Sequence, residues 1–325
     1  MQTEAIIVGA DHLARLQRIE LPELTSTRVH LRSLVGGVSC GTEGDCTSGR
    51  AVYMPRPFIT GYQVVAEVLA CGALVRGLRP GDRVFSRGGG LWSMKHLAGG
   101  SHARELVVED TEVVRLAPGF TALGSAAYAT LGAVALEGLK RLRLEPGRTL
   151  LVFGLGMLGQ LVGRLAQLEG LRVVGINRTA WKREAAQALG FDAVCAPEAA
   201  AIDAAVAKVG LGPARWAVDT SGAQAIFDLA VRSLGRGGEL NLLGYYPEPF
   251  RVDFDAFHAR DLRILNPVGF GDRIPAVLAA IAEGRLDLSS LIRRTVRPED
   301  ITAFYRELVE DHGSHLGVVI DWRSP

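Results

Sequence analysis

The sequence predicts an α/β protein with two domains, one built on a doubly wound parallel sheet and the other on a strand-rich, barrel-like sheet. The chain has 325 residues, more than a single hydrophobic core usually supports. Short apolar stretches of period two dominate its first third, a pattern typical of half-buried strands. Further along, apolar strands alternate with helical patterns, which is typical of a parallel sheet with crossover helices.

The strand-rich part extends to about residue 118. Glycine and proline separate its apolar stretches and interrupt regular structure. A glycine-rich piece at 86–101, SRGGGLWSMKHLAGGS, is expected to form a loop that lines a cleft. The candidate strands are AIIVGA, RVHLRSLV, QVVAEVLACG, GDRVFS, ARELVVED and EVVRLAPG.

The pattern changes near residue 121, where SAAYATLGAVALEGLKRL has helical spacing. Strands and helices then alternate as far as ELNLLG, and LRILNPV could add an edge strand. We therefore predict one domain over residues 121–268 and a second domain formed by residues 1–120 together with 269–325. The expected helices lie at about 158–169, 180–189, 198–208, 224–234, 274–283 and 300–310, and the last expected strand is GVVIDW.

Composition and charge argue against several classes of protein. The formal net charge is +1 without any run of like charge, which disfavours nucleic acid or an anionic membrane as a partner. No stretch reaches the ~18 apolar residues of a membrane span, and the N-terminus lacks a secretory pattern. Four scattered cysteines form neither a disulfide framework nor a CxxC metal clip. We expect a cytoplasmic protein whose partner is a small molecule.

The sharpest motif is TLLVFGLGMLGQLVGRLAQ, which places GxGxxG directly after an apolar strand and at the start of a helix. Gly154 would allow the tight turn, Gly156 the close approach of a pyrophosphate, and Gly159 the close packing of helix on strand. The helix N-terminus at Met157 and Leu158 would add free amides and a positive dipole end. This context predicts a Rossmann-type site for a nicotinamide dinucleotide.

The tip of the next strand, VVGINRT, bears on the choice of cofactor. Asn177 stands where an NAD enzyme usually places an acidic residue on the ribose hydroxyls. Arg178 follows, with Thr179, Lys182 and Arg183 nearby, and guanidinium groups suit phosphate oxygens. We therefore expect NADP(H) to be favoured over NAD(H). The alternative is that Arg178 stacks on the adenine or is simply solvated.

Six short motifs are spread along the chain. They are Cys40-Gly41-Thr42-Glu43 with Gly49, GYQVVAEV at 61–68, PGDRVFS at 80–86, GLGMLG at 154–159, VDTSG at 218–222 and GGELNLLG at 237–244. Through these motifs the sequence resembles the medium-chain dehydrogenase/reductase superfamily over nearly its whole length. The resemblance implies a Rossmann nucleotide-binding domain, a GroES-like β-barrel catalytic domain, and hydride transfer between nicotinamide and a substrate carbon in a cleft between them. It also implies cofactor contacts at Thr220 and Gly244.

The sequence departs from the zinc-dependent members of that superfamily. Those members have a cysteine ligand in the first motif and a histidine followed by glutamate in the second, whereas here only Cys40 remains. Tyr62 and Gln63 occupy the other two positions, and Thr130 falls near the third ligand. Because a tetrahedral catalytic zinc needs about three protein donors, we expect no zinc.

Without a Lewis acid, charge on the substrate heteroatom requires a hydrogen-bond donor. Tyr62 is the first candidate because it stands at a former ligand position and could donate its phenol proton. Thr42 matches a hydroxyl that relays protons in alcohol-oxidising relatives. Glu43 could orient either hydroxyl or bridge the domains, and Cys40 is either part of the site or an inert buried thiol.

The remaining candidates belong to the substrate side. His96 and His102 lie on or beside the glycine-rich loop and could relay protons to solvent. The cleft is expected to include Tyr53, Trp92, His96 and Tyr245.

Three functions stay open. The first is a zinc-independent, NADP(H)-dependent dehydrogenase or reductase acting on an alcohol or carbonyl. The second is a reductase of C=C or C=N bonds with the same fold, and the third is a non-catalytic NADPH-binding protein.

Three segments of the sequence look most like one subgroup of the superfamily, the bacteriochlorophyllide hydroxyethyl dehydrogenases. They are GVSCGTE, LLGYYPEPFRVDFDAFHARDLRI and VVIDWR. By analogy we expect a homodimer formed through the LRILNPV strand.

Overall fold

The chain folds into two units with different sheets, seen in a computed structural model that describes residues 1–51, 54–89, 100–210, 212–249, 251–267, 269 and 272–323. The first unit comprises Met1–Thr130 and Ile274–Pro325, and the second comprises Leu131–Arg273. The sequence places the corresponding boundaries after residues 120 and 268, somewhat earlier in the chain.

The first unit contains two sheets. Its strands are β1 (Gln2–Val8), β2 (Ala14–Glu20), β3 (Arg28–Val38), β4 (Phe58–Ile59), β5 (Val64–Cys71), β6 (Arg83–Ser86), β7 (Glu105–Glu109), β8 (Val113–Arg115), and, near the end of the chain, β15 (Ile292–Val296) and β16 (Gly317–Asp321). The larger sheet has the order β15-β16-β3-β5-β6-β8, with β7 also paired to β3, and the smaller has the order β2-β1-β4. This unit also holds helices α1 (Cys40–Ser48), α2 (Leu123–Ala126), α9 (Ile274–Ala282) and α10 (Ile301–Glu310).

Strand β16 joins the large sheet by antiparallel pairing with β3, with Val318 opposite Val38. The fully buried Tyr128 reinforces this pair, because its hydroxyl accepts the Val318 N–H at 2.6 Å and donates to the Val318 carbonyl at 2.5 Å. Burial raises the pKa of that phenol well above its usual value. The hydroxyl therefore stays protonated and can donate and accept at the same time.

The second unit is one parallel sheet with helices. Its strands are β9 (Thr149–Phe153), β10 (Arg172–Ile176), β11 (Ala193–Cys195), β12 (Trp216–Asp219), β13 (Glu239–Leu242) and β14 (Arg263–Leu265). They are arranged in the order β11-β10-β9-β12-β13-β14, and all their pairings are parallel. The helices are α3 (Ala129–Arg141), which begins at the unit boundary, α4 (Met157–Leu168), α5 (Ala180–Ala188), α6 (Ala199–Val209), α7 (Gln224–Ser233) and α8 (Phe254–His258).

Burial in the second unit follows the connectivity. Strand β9 lies in the middle of the sheet, and all five of its residues are buried. Apolar side chains from β10, β12, β13 and the flanking helices form one cluster around it. Because the order reverses on either side of β9, ligands are expected at the carboxyl ends of the strands, beside this reversal.

The predicted α/β fold is confirmed, and the expected helices begin and end within a few residues of the observed ones. The helix expected near residue 121 is interrupted, because α2 ends at Ala126 and α3 begins at Ala129. Helix α1 was not expected, since CGTEGDCTS contains two glycines and no apolar period. Among the described residues, no helix is long and apolar enough to cross a membrane.

Candidate functional site

The turn between β9 and α4 has the geometry that the glycine motif requires. Gly154 has a φ of +86°, a left-handed conformation that glycine adopts without strain. A Cβ on Gly159 would lie 1.8 Å from the Gly154 carbonyl oxygen, whereas a Cβ on Gly156 would meet nothing within 4 Å. The first amides of α4, at Met157 and Leu158, have no intrahelical partners. Open space in front of free amides fits the pyrophosphate of a dinucleotide.

Residues that follow the neighbouring strands β12 and β13 pack against this turn. The Thr220 hydroxyl donates to the backbone carbonyls of Phe153 at 3.2 Å and Gly154 at 2.9 Å. A Cβ on Gly244 would lie 2.6 Å from the Gly222 nitrogen, so the segments after β12 and β13 touch through their backbones. Through these contacts Thr220 holds the glycine turn after β9, and Gly244 allows the two neighbouring segments to pack closely.

The tip of β10 bears side chains that suit a phosphate. The Nδ2 atom of Asn177 is buried and has no hydrogen-bond partner among the described residues. Arg178 is exposed, and Arg183 donates to the backbone carbonyls of Asn177 at 2.7 Å and Arg178 at 2.8 Å. Lys182 is only 7 % exposed, and its ammonium lies 5.3 Å from the centre of the Trp181 ring. Of the predicted cations, Arg178 is therefore the one presented at the surface.

A buried carboxylate that the sequence analysis did not identify lies at the end of β12. Asp219 is 0 % exposed and accepts the Ser221 N–H at 2.7 Å and the hydroxyl of Tyr246. Burial raises the pKa of Asp219, while the bonds from Tyr246 and Ser221 lower it. Asp219 and Tyr246 thus fix the strand end that carries Thr220. The sequence signal that could have identified Asp219 is its position as the last residue of the apolar strand β12.

In the first unit, the N-terminus of α1 is stabilised by its own glutamate. Glu43 is 4 % exposed, its Oε1 accepts the Ser39 N–H at 2.8 Å, and its Oε2 accepts the hydroxyl of Tyr305 on α10. Burial raises the pKa of the Glu43 carboxyl to about 7, against the lowering effect of these bonds. The sequence led us to expect that Glu43 orients Thr42 or Tyr62 or bridges the domains. Instead, both hydrogen-bond donors belong to its own unit.

His102 does not have the expected access to solvent. It is 0 % exposed, its Nδ1 lies 3.1 Å from the Thr60 hydroxyl and 3.5 Å from Oε2 of Glu43, and its Nε2 makes no hydrogen bond of normal geometry within the described residues. Burial lowers the pKa of the imidazole to about 4, so the ring is neutral at physiological pH. The prediction that His102 relays protons to solvent is therefore wrong. Glycine at position 61 leaves room for this ring, since a Cβ there would lie 2.4 Å from it.

The Tyr62 side chain, from the segment between β4 and β5, interacts with the Thr42 side chain at the start of α1. Both side chains are partly exposed. Burial raises the pKa of the Tyr62 phenol, and interactions with the Ser39 and Thr42 side chains act in the opposite sense. The Tyr62 phenol therefore stays protonated at physiological pH and can act as a hydrogen-bond donor.

At the positions that correspond to zinc ligands, the side chains are engaged with the backbone. The Cys40 thiol is buried, with its sulfur 3.9 Å from the carbonyl oxygens of both Val38 and Leu316. The Gln63 amide donates to the Gly37 carbonyl at 3.3 Å. The Gln63 amide nitrogen, one residue past the former histidine position, acts as a hydrogen-bond donor and cannot bind zinc. The Cys40 thiol would supply only one of the three or so protein donors that a catalytic zinc needs.

The third ligand position gives the same result. The Thr130 hydroxyl donates to the backbone carbonyl of Tyr62 at 3.2 Å. In the part of the chain that the structure describes, no three His, Cys, Asp or Glu side chains converge as a metal site would require. The donor set at Cys40, Tyr62 and Thr130 therefore does not fit a tetrahedral zinc ion.

Three predicted cleft residues, Tyr53, Trp92 and His96, lie outside the described residues. Tyr245 is 38 % exposed and belongs to the second unit, directly before the partly buried Tyr246. Its exposure is compatible with contact to a ligand.

Comparisons with known proteins show which family the chain resembles. The model of the family described as zinc-binding dehydrogenase matches residues 158–283. The chain is 28% identical over 337 residues to 2-desacetyl-2-hydroxyethyl bacteriochlorophyllide A dehydrogenase of Cereibacter sphaeroides, covering 100% of this chain and 99% of that protein. It is 30% identical over 301 residues to the protein of the same name from Rhodobacter capsulatus, covering 89% and 88%. The predicted likeness to this subgroup is confirmed.

The fold comparison extends to the whole chain. The crystal structure of 2R,3R-butanediol dehydrogenase from Bacillus subtilis superimposes with a TM-score of 0.85 at 19% identity, covering 98% of this chain and 99% of that one. The superposition shows that the two chains share a fold.

Proposed function

Since the chain belongs to the zinc-binding dehydrogenase family of the medium-chain dehydrogenase/reductase superfamily and is an NAD(P)-dependent oxidoreductase, we propose that it works without zinc and prefers NADP(H). Its reaction is hydride transfer between nicotinamide and an alcohol or carbonyl group of a small or medium-sized metabolite. The observation that carries the zinc-free mechanism is the set of side chains at the three former ligand positions, Cys40, Tyr62 and Thr130. Of these, the Thr130 hydroxyl donates its hydrogen bond to a backbone carbonyl.

The glycine turn and the β10 tip would hold the cofactor. Gly154, Gly156 and Gly159 admit the pyrophosphate to the amino end of α4, and Arg178 with the Asn177 amide offers donors to a 2′-phosphate. When bound there, a nicotinamide dinucleotide supplies or accepts the hydride.

The first unit supplies the proton. Tyr62 stays protonated at physiological pH, so it can donate a hydrogen bond to the substrate oxygen. In the reductive direction the proton would pass along this bond as the hydride is added to carbon. Thr42 shares its surroundings and offers a hydroxyl through which the proton can be restored. Glu43 acts as a positioning residue, because it fixes the start of the helix that carries Thr42.

NADPH oxidation measured against a panel of aldehydes and ketones tests this function. The panel also contains enones and imines for the C=C and C=N alternatives. It includes a bacteriochlorophyllide bearing an acetyl group, because two relatives are named for the corresponding hydroxyethyl compound. Carbonyl-dependent NADPH consumption supports the proposal, and turnover of enones or imines alone supports the second function. Tight NADPH binding without turnover of any substrate supports a binding protein.

We also propose a cytoplasmic homodimer. Strand β14 forms one edge of the six-stranded sheet, and an unpaired edge can pair with its symmetry mate. Sedimentation as a monomer at micromolar concentration would contradict this assembly.

A further inference from the structure

A cavity in the second unit lies at the opposite end of strand β9 from the glycine turn. It has a volume of about 230 Å³, and its walls include the first residues of β9 and β12, Thr149 and Trp216. The glycine turn follows Phe153, at the opposite end of β9. A ligand in this cavity would therefore not compete with the pyrophosphate of a dinucleotide.

The walls of this cavity are strongly basic. Arg148, Arg215 and Arg236 all line it, and no carboxylate does. Glu145 pairs with two of these arginines, its oxygens lying 3.5 Å from Nε of Arg148 and 3.9 Å from Nη1 of Arg215. Both distances exceed the 2.7–2.9 Å of a strong charge-assisted hydrogen bond. One loosely placed carboxylate leaves most of the positive charge uncompensated.

Arg236 is the least engaged of the three arginines. Its side chain is exposed, and within the described residues it makes neither an ion pair nor a hydrogen bond. Arg215 is held differently, with its guanidinium carbon 5.7 Å from the centre of the Trp216 ring. One guanidinium is thus placed against an indole, while another is available to a ligand.

The floor of the cavity adds an unused polar group. Thr149 is 3 % exposed, and its hydroxyl has no hydrogen-bond partner among the described residues. A buried hydroxyl without a partner is unfavourable. Because this hydroxyl is enclosed, it adds to the polarity of the wall without touching a ligand directly.

We propose that this cavity, lined by Arg148, Arg215 and Arg236, binds a phosphate group, either free or as a small phosphomonoester. Three guanidinium groups offer planar pairs of donors that match the several oxygens and the double charge of phosphate. Trp216 and Pro213 supply an apolar wall for an organic substituent. The site is separate from the cofactor cradle and adds a second ligand class to the enzyme.

Calorimetric titration with inorganic phosphate, and separately with glycerol 2-phosphate, tests the site. The protein is first saturated with NADPH so that phosphate cannot register at the glycine turn, and ionic strength is held constant with chloride. We expect saturable binding that weakens about tenfold in Arg236→Gln and in Arg148→Gln. Arg232→Gln is the matched control, because Arg232 is an exposed arginine of the same unit outside the cavity.

The two ligands distinguish the source of the phosphate group. Tighter binding of glycerol 2-phosphate indicates a phosphomonoester, and equal or weaker binding indicates the free ion. Absence of saturable binding of either ligand up to tens of millimolar overturns the proposal. So does equal affinity in Arg236→Gln, Arg148→Gln and Arg232→Gln. NADPH turnover is measured separately, so a failure here leaves the oxidoreductase proposal intact.

Discussion

The Tyr305 hydroxyl donates a hydrogen bond to Oε2 of Glu43, which lies 262 positions earlier in the sequence. Both side chains are almost completely buried. No arginine or lysine pairs with this carboxyl among the described residues, and the nearest imidazole, His102, is neutral. The Glu43 carboxyl is therefore a buried ionisable group at the start of α1 that has no counter-ion among the described residues.

This burial predicts a pH-dependent stability. Because the pKa of Glu43 is raised from 4.5 to about 7 in the folded protein, the folded state retains its proton over a range in which the unfolded state has lost it. The contribution is fully present below pH 4.5 and is lost as pH rises to 7, by about 3 kcal/mol. Urea unfolding at several pH values should show this decline in the wild type relative to Glu43→Gln.

Tyr305→Phe provides the control for that measurement. Removing the donor raises the pKa of Glu43 further, so the decline should move to higher pH. Identical pH profiles of unfolding free energy for the wild type and Glu43→Gln would show that the carboxyl does not titrate in this range.

Tyr62→Phe is expected to slow carbonyl reduction by about a hundredfold, because it removes the proposed proton donor. The affinity for NADPH should be unchanged, since Tyr62 belongs to the first unit and the glycine turn to the second. Steady-state kinetics with the best carbonyl substrate, combined with fluorescence titration of NADPH, checks both statements. Wild-type turnover in Tyr62→Phe would exclude this residue as the acid.

Cys40→Ser is expected to keep most of the activity. A serine hydroxyl can donate to the Val38 and Leu316 carbonyls that surround the thiol. Protein purified with zinc in the medium should contain far less than one zinc per chain, and a chelator should not inactivate it. Stoichiometric zinc that disappears in Cys40→Ser, together with activity, would instead demonstrate a catalytic metal.

Cofactor preference is expected to depend on the tip of β10. Arg178→Gln should lower kcat/KM for NADPH by about tenfold with little change for NADH, because a charge-assisted contact to the 2′-phosphate is lost. Asn177→Asp should shift the preference towards NADH. Arg172→Gln, at the opposite end of β10, is the matched control. Equal effects on both cofactors in Arg178→Gln would place this arginine against another part of the dinucleotide.

Two alanine substitutions separate folding from cofactor binding. Gly156→Ala has open space around its Cβ, so its melting temperature should match the wild type while NADPH binding weakens at least tenfold. Gly159→Ala drives its Cβ into the Gly154 carbonyl, so both stability and binding should fall. Calorimetric melting with and without NADPH distinguishes them. Normal NADPH affinity in Gly156→Ala would remove the pyrophosphate from this turn.

The part of the site that the sequence predicts is local. Gly154, Gly156 and Gly159 lie within six residues of one another, and each requirement arises from the turn itself. The Glu43 and Tyr305 contact depends instead on the packing of α10 beside α1, which no short window of sequence contains. His102 illustrates the same limit, because glycines around it suggested a solvated loop whereas the fold encloses the ring against Gly61.

Elements also differed in how readily they could be predicted. Helix α4 has a regular apolar period and was expected almost to its ends. Helix α1 lacks such a period and depends on the Glu43 carboxyl at its start and on the left-handed Gly49 at its end. Tertiary contacts therefore determine the structure where the candidate catalytic residues lie.

The chain order of the strands has a consequence for biosynthesis. Residues 131–273 are continuous, so this half can mature while synthesis is still in progress. The large sheet of the first unit is completed only later, since β16 pairs with the early strand β3 and accepts a hydrogen bond from the Tyr128 hydroxyl. A chain truncated before residue 317 would contain all of the unit with the glycine turn but would lack the last strand of the unit that contains Tyr62.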